Sequence, residues 1–105
     1  MLNKLMSAAA VPYKAARFPD PPGLHAVTFD SVETDGPDIG PGRIFNHNCM
    51  VELYAPSIKL GDEALHRLMA QLDAEGIRYT TQGWYWLSSA HRYQEIIEFS
   101  YIEKT

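Results

Sequence analysis

The chain has 105 residues, of which 46% are hydrophobic, 11% aromatic and 21% charged, and its nine basic and thirteen acidic side chains give a formal net charge of −4. These values exclude a disordered chain and predict one domain over residues 1–105. The acidic balance and scattered basic residues argue against sequence-independent phosphate binding, and a single cysteine excludes a disulfide scaffold. Without a long apolar run or a signal-peptide pattern, we expect a soluble intracellular domain and no membrane partner.

The first half of the chain predicts one short helix and three strands. The sequence begins with apolar residues at helical spacing: Leu2, Leu5, Met6 and Ala9. The helix that they predict should end before Pro12. Alternating, β-branched and aromatic residues then predict strands over 13–18, 24–32 and 43–55. The prolines of the Pro19–Gly23 turn separate the first two.

The strand over 43–55 has two faces of different character. One face is nearly all apolar and should look into the core: Phe45, His47, Cys49, Val51 and Leu53. The other face mixes apolar and polar side chains: Ile44, Asn46, Asn48, Met50, Glu52 and Tyr54. This strand is therefore predicted to lie at the centre of a sheet.

The second half predicts the main helix and three further strands. The helix should span about 62–75, with Asp62 or a neighbour as its N-cap and Gly76 as the left-handed residue that ends it. Its core stripe consists of Leu65, Leu68, Met69 and Leu72. Strands are predicted over 77–81, 84–88 and 92–103. The fold class is α+β, a mostly antiparallel mixed sheet of five to six strands with the main helix and the short N-terminal helix packed on it.

A long loop over 33–43 joins the second and third predicted strands. It contains the glycine- and proline-rich segment GPDIGPG and acidic side chains that include Asp35 and Asp38. Its length exceeds that of a tight hairpin. The sequence matches neither phosphate-binding glycine motif, and its acids would repel an anion. The loop is either a solvated connection or a contact to a partner.

Chemistry-bearing residues are few, and none forms a recognisable catalytic set. Asp62 and His66 lie one helical turn apart, which is weak support for a metal ion, and a solvated helix face is the more common case. His47 and Cys49 share a strand face that is otherwise apolar, which favours a buried inert thiol. We therefore expect no enzyme activity, no cofactor and no metal. A small polar pocket around His47, Asn46 and Asn48 remains an alternative, although the two asparagines should face away from His47.

The strand segment Trp84-Tyr85-Trp86 places large aromatic side chains on both faces of the sheet. Aromatic stripes usually belong to a core. Strand alternation also predicts that five further large side chains point away from the core: Ile44, Met50, Tyr54, Ile96 and Ile102. Two helices, one of them short, cannot cover both faces, which favours an oligomer.

The order of these features resembles the tail-terminator, or tail-completion, proteins of tailed phages. The resemblance covers roughly residues 11 to 103, and its most telling part is the strand VELYAP leading into a Lys-x-x-Asp-x-x-Leu helix. A Gly-Ile-x-Tyr strand, a short aromatic strand and the closing strand Tyr-x-x-Ile-x-Glu-Phe follow. The GPDIGPG loop has no counterpart in that pattern.

The resemblance implies a non-enzymatic virion protein of the tail or neck, assembled in the host cytoplasm. Such proteins form hexameric rings that end the tail tube, contact the tail tube protein and the head-closure (connector) protein, and let DNA pass without sequence-specific binding. A ring needs two different complementary patches. The candidate interface residues are Asp35, Asp38, Ile39, Ile44, Met50, Tyr54, Trp84 and Trp86. The alternative is a small protein-binding or inhibitory module that uses an aromatic sheet face.

Overall fold

The computed structural model describes residues 1–35 and 44–104 and has the predicted α+β fold. Its two helices and six strands follow in the predicted order: α1 (Leu2–Ala9), β1 (Tyr13–Ala15), β2 (His25–Asp35), β3 (Ile44–Ala55), α2 (Ile58–Ala74), β4 (Tyr79–Thr81), β5 (Tyr85–Leu87) and β6 (Arg92–Lys104). Neither helix in the described part of the chain is long and apolar enough to cross a membrane.

The strands form one mixed sheet in the order β1-β2-β3-β6-β4, with β5 also paired to β6. β1 runs parallel to β2, and every other pairing is antiparallel. The three long strands continue well past their short neighbours, since β1 reaches only Thr28 on β2 and β4 reaches only Phe99 on β6. The molecule is accordingly elongated, with principal extents of 51 × 27 × 21 Å.

The core lies between one face of the sheet and the two helices. Leu5, Met6 and Ala9 of α1 are buried together with the apolar stripe of α2. They pack with one face of the three long strands, whose members are Ala26, Cys49, Val51, Leu53, Ile97 and Phe99. The inward face predicted for β3 is thus confirmed at Cys49, Val51 and Leu53, whereas Phe45 and His47 lie farther along the strand and are only half-buried.

The main helix begins four residues earlier than predicted. Its N-cap is Ser57, whose hydroxyl accepts a hydrogen bond from the Leu60 N–H at 3.3 Å, and not Asp62. Gly61 precedes the predicted start of the helix, but in the structure it lies inside α2 and is buried. A side chain with a hydroxyl group directly before a helical run satisfies the first free N–H groups, which explains the earlier start. At the other end, Gly76 has the left-handed φ of +69° that its position predicted.

Gly61 is required by its neighbour Trp84. A Cβ atom at position 61 would lie 2.4 and 2.6 Å from two carbons of the Trp84 ring and 3.1 Å from the Cβ of Ala55. The indole is also fixed on its polar side, because its Nε1–H donates to Asp62 Oδ1 at 2.7 Å. Trp84 therefore packs on the first turns of α2, where only a glycine leaves room for it.

We expect Gly61→Ala to destabilise the fold although alanine is the better helix former. The clash should cost about 1–3 kcal/mol, which exceeds the helix-propensity gain of about 1 kcal/mol. Trp84→Phe shortens the ring, so adding Gly61→Ala to that variant should cost less than adding it to the wild type. Urea unfolding of the four proteins measures this coupling. Strictly additive losses would contradict the packing described.

The long hairpin differs from the prediction at its base. Glu33, Thr34 and Asp35 were predicted in the loop, but they extend β2, with Asp35 paired to Ile44. The strands are longer because β3 also pairs with β6 as far as Lys104, so that the ladder is supported from both sides of β3. The rest of the predicted loop, residues 36–43, lies outside the described residues.

Candidate functional site

The face of the sheet opposite the helices is the main candidate site, and we call it the open face. In the three long strands it consists of alternate residues: His25, Val27, Phe29, Ser31 and Glu33 of β2, then Ile44, Asn46, Asn48, Met50, Glu52 and Tyr54 of β3, then Gln94, Ile96, Glu98, Ser100, Ile102 and Lys104 of β6. Within residues 1–35 and 44–104, both helices pack on the other face.

The middle of the open face combines apolar and acidic side chains. One row of cross-strand neighbours reads Val27–Glu52–Ile96, and the next reads Phe29–Met50–Glu98. Phe29, Met50 and Ile96 are half-buried by their neighbours in the sheet. The face therefore offers apolar contact area together with negative charge, which suits a protein partner better than a nucleic acid.

A hydrogen-bonded chain of side chains crosses the open face at the end where β5 joins the sheet. The Tyr54 hydroxyl accepts from Gln94 Nε2 at 2.8 Å and donates to Glu52 Oε1 at 3.3 Å, and the Tyr85 hydroxyl donates to Gln94 Oε1. Gln94 is only 5% exposed. Burial raises the pKa of Tyr54 above its ordinary value, and the nearby Glu52 carboxylate acts in the same direction. The network thus links four side chains from three strands.

Next to this network, His25 is stacked between aromatic rings. Its imidazole lies parallel to Tyr54 at 4.8 Å between centroids and edge-on to Phe18 at 5.3 Å. Nδ1 lies 2.8 Å from the carbonyl oxygen of Pro22, to which it donates in the neutral tautomer. Burial lowers the pKa of His25, so the ring is a neutral structural group at neutral pH.

The far ends of the long strands expose further apolar side chains. Ile44 and Ile102 are 39% and 62% exposed on the open face, where they lie diagonally across β3 and β6. Val32 is 49% exposed on the opposite face, beside His47. We call this end, residues 30–35, 44–48 and 100–104, the distal ribbon.

His47 ties the three strands of the distal ribbon together. Its Nδ1 lies 2.9 Å from Asp30 of β2 and its Nε2 lies 3.0 Å from Glu103 of β6. The ring also stacks on Tyr101 at 4.4 Å, and it is only 11% exposed. The hydrogen bond to Glu103 is the main cause that raises the pKa of His47, and Asp30 adds to it. The protonated imidazole donates to both carboxylates.

The stability of the fold should therefore depend on pH through His47. Because folding raises the pKa of His47 above its ordinary 6.5, the stabilisation is complete below about pH 6.5 and is lost as the pH rises through the folded-state pKa. His25 has a lowered pKa, so its contribution to stability changes with pH in the opposite direction. The effects of the two histidines must therefore be measured separately. Urea unfolding from pH 5 to 9 should show a wild-type advantage over His47→Asn that shrinks at high pH. A constant difference would contradict this assignment.

The arrangement around Cys49 does not support nucleophilic chemistry. Burial raises the pKa of the thiol to about 12, and the Asp30 carboxylate, which accepts from Sγ at 3.6 Å, acts in the same direction. Asn46 and Asn48 lie on the open face, away from His47, and Asn48 accepts a hydrogen bond from Ser100 at 2.9 Å. The polar pocket considered as an alternative therefore does not come together around His47.

The predicted interface residues fall into separate regions. Ile44, Met50 and Tyr54 lie on the open face as the pattern indicated. Trp84 instead packs on α2, and Trp86, which is 50% exposed, pairs with Tyr93 on the helix side of the sheet. Asp35 ends β2, whereas Asp38 and Ile39 lie outside the described residues. The tryptophans are thus not part of the patch formed by the other three.

Sequence reasoning missed the cross-strand partners at the site. His47 contacts Asp30 and Glu103, and Tyr54 contacts Gln94. The partners in each contact are far apart in the chain and meet only once the register of β2, β3 and β6 is fixed. Their polar type inside predicted strands was the one signal that the sequence offered. In the described part of the chain, no group of three or more His, Cys, Asp or Glu side chains is placed to hold a metal ion, and Asp62 accepts from Trp84.

Comparison with known proteins establishes the fold and no family. No family model and no curated protein matches the chain. One similar solved structure, which carries no functional description, has a TM-score of 0.50 and 11% identity over 98% of this chain and 86% of its own. A second comes from the virion of a native gene transfer agent particle, with a TM-score of 0.49 and 12% identity over 96% of this chain and 84% of its own. At such identities the likeness concerns the fold alone.

Proposed function

We propose that this chain is a non-enzymatic structural subunit of a phage-like virion that forms a ring at the end of the tail tube. One observation carries the proposal: the sheet has both helices on one face and leaves apolar side chains, among them Phe29, Met50 and Ile96, on the other. A sheet of this kind is completed by a partner. The order of sequence features that resembles tail-terminator proteins supports a second copy of the chain as that partner.

The strand edges supply the two different surfaces that a closed ring needs. In the described structure, β1 covers β2 only as far as Thr28, and β4 covers β6 only as far as Phe99. Beyond these residues the outer backbone groups of both strands face away from β3. One edge of a copy can pair with the other edge of its neighbour, which gives a head-to-tail contact that closes when the rotation is right. Six copies is the ring size that the resemblance implies.

The net charge of the chain supports a ring through which DNA passes. The chain carries thirteen acidic and nine basic side chains, a formal net charge of −4. Carboxylates repel phosphates, so an acidic ring keeps a passing duplex from adhering. In this proposal the ring contacts the tail tube protein on one side and the head-closure protein on the other, in the neck of the virion, after assembly in the host cytoplasm.

The non-enzymatic part of the proposal is supported by the state of the reactive groups. The His47 imidazole is engaged by two carboxylates, and the Cys49 thiol has a pKa of about 12. Neither group is available as a base or a nucleophile at neutral pH.

Electron microscopy of negatively stained protein tests the proposal. We expect six-fold rings with an open centre, either in solution or on purified tail tubes. A chain that stays monomeric at high concentration and does not bind tail tubes would contradict it. That outcome would favour the second candidate, a small protein-binding module, for which the aromatic network around Tyr54 and Gln94 would be the contact surface.

A further inference from the structure

A cavity of about 330 Å³ opens on the open face, at the end of the sheet away from the distal ribbon. Its walls come from the segment before β2, from β2 and β3, and from the β5–β6 connection: Phe18, His25, Val27, Tyr54, Leu87 and Arg92. The volume lies at the lower end of the range for small-ligand pockets, about 300–1,000 Å³, and fits one or two side chains. Three of these walls pack on one another, because His25 is stacked between Phe18 and Tyr54.

The cavity is apolar inside and positively charged at its rim. Arg92 is held in place by its Nε and Nη1 groups, which donate to the carbonyl oxygens of Gly23 at 3.0 Å and Ala90 at 3.1 Å. The hydrogen bonds among residues 1–35 and 44–104 leave its Nη2 group available. On the other wall, the Lys14 ammonium lies 5.9 Å from the centre of the Phe18 ring. An apolar side chain next to a carboxylate is the chemistry that fits such a cavity.

We propose that this cavity binds the acidic segment 33–43 of a neighbouring copy, with Ile39 as the buried anchor and Asp38 facing Arg92. This inference rests on the proposed ring, since it requires a second copy of the chain. It names the contact that the segment makes in the assembly.

Charge and composition select this segment as the occupant. It carries three acidic side chains, Glu33, Asp35 and Asp38, against one basic side chain at its end, Arg43, and its one large apolar side chain is Ile39, next to Asp38. The positive rim and apolar walls of the cavity are complementary to this pattern.

Distance requires that the segment come from another copy. The cavity includes His25, and β2 runs from His25 to Asp35, so the segment leaves the sheet about 33 Å away at 3.3 Å per residue. The eight residues between Asp35 and Ile44 must also return to β3, which leaves about four residues, or roughly 14 Å, for outward reach. The segment therefore cannot fill the cavity of its own chain.

Disulfide trapping between two singly substituted chains tests the contact. Ile39→Cys and Leu87→Cys proteins, mixed under mild oxidation, should give a cross-linked heterodimer, because position 87 lines the cavity. The buried native Cys49 does not compete. Ile39→Cys mixed with Leu60→Cys, on an exposed helix position, is the matched control. Equal cross-linking in both mixtures, or none in the first, would overturn the proposal.

A synthetic peptide of residues 33–43 tests the cavity without requiring a ring. Added to the full-length Ile39→Ser protein, which lacks its own anchor, the peptide should shift NMR signals of Val27, Tyr54 and Leu87. An Ile39→Ser peptide should bind about tenfold more weakly, and salt should weaken the wild-type peptide. Shifts elsewhere, or none at millimolar peptide, would overturn the docking inference. Six-fold rings without peptide binding would overturn the docking inference and leave the proposed function supported. Peptide binding without rings would support the docking inference and contradict the proposed function.

Discussion

Replacing Glu95 with alanine should lower the free energy of unfolding by about 3 kcal/mol. The Glu95 side chain is 2% exposed, and its Oε1 accepts from the backbone N–H groups of Gln82, Gly83 and Ile96 at 2.8, 3.0 and 3.0 Å. It thereby fixes the turn that leads into β5. A hydrogen bond to a charged group contributes about 1.5–3 kcal/mol, so three independent bonds would contribute more than about 4 kcal/mol. We expect a smaller loss because Gln82 and Gly83 are exposed, and water can replace the carboxylate at their N–H groups.

Glu95→Gln is the matched control, since it keeps an oxygen acceptor and the shape of the side chain. It should lose clearly less stability than Glu95→Ala in urea unfolding. The turn also positions Trp84, so the alanine variant should change the fluorescence of that residue while the glutamine variant leaves it nearly native. Equal losses in the two variants would show that the carboxylate does not organise this turn.

Placing charges on the distal ribbon should prevent ring assembly without unfolding the chain. Ile102 and Ile44 are 62% and 39% exposed, so Ile102→Asp and Ile44→Asp remove little core packing. In the proposed ring these side chains are covered by the neighbour. Each substitution should then cost about 2 kcal/mol per subunit contact, which is about 30-fold in the association constant. Light scattering against concentration measures the change.

Ile58→Asp provides the matched control for these two variants. Ile58 is 44% exposed on the first turn of α2, on the helix side of the sheet. It changes the same residue type at similar exposure, and an acidic side chain suits a helix N-terminus. It should assemble like the wild type. Assembly defects of the same size in all three variants would mean that added negative charge, and not the open face, is responsible.

Local pattern predicted the element order and the inward face of β3, because alternation at Cys49, Val51 and Leu53 is set by burial alone. It did not predict the start of α2. Gly61 reads locally as a helix breaker, and only the contact with Trp84, which follows 23 positions later, explains why a glycine lies inside the helix. The short strands were also predicted too long: β1 and β4 each pair over three residues although their partners β2 and β6 continue, because the short segments leave the sheet there and local propensity does not show where.

The candidate site was predicted only in outline. The open face follows from strand alternation, which placed Ile44, Met50 and Tyr54 correctly on one side. The contacts that give the face its character depend on strand register: Tyr54 with Gln94, and His25 with Tyr54. Register is fixed by pairing between residues that lie 29 positions apart (His25 and Tyr54) and 40 positions apart (Tyr54 and Gln94), and a local sequence pattern does not contain that information. For the same reason the two tryptophans could not be separated from the patch beforehand.

Native mass spectrometry of the wild-type chain over a range of concentrations shows whether the open face is a contact between copies. We predict a species of about 71 kDa, six times the 11.8 kDa chain, that dissociates in Ile102→Asp and persists in Ile58→Asp. A single 11.8 kDa species at every concentration, unchanged when tail tubes are added, would contradict the account.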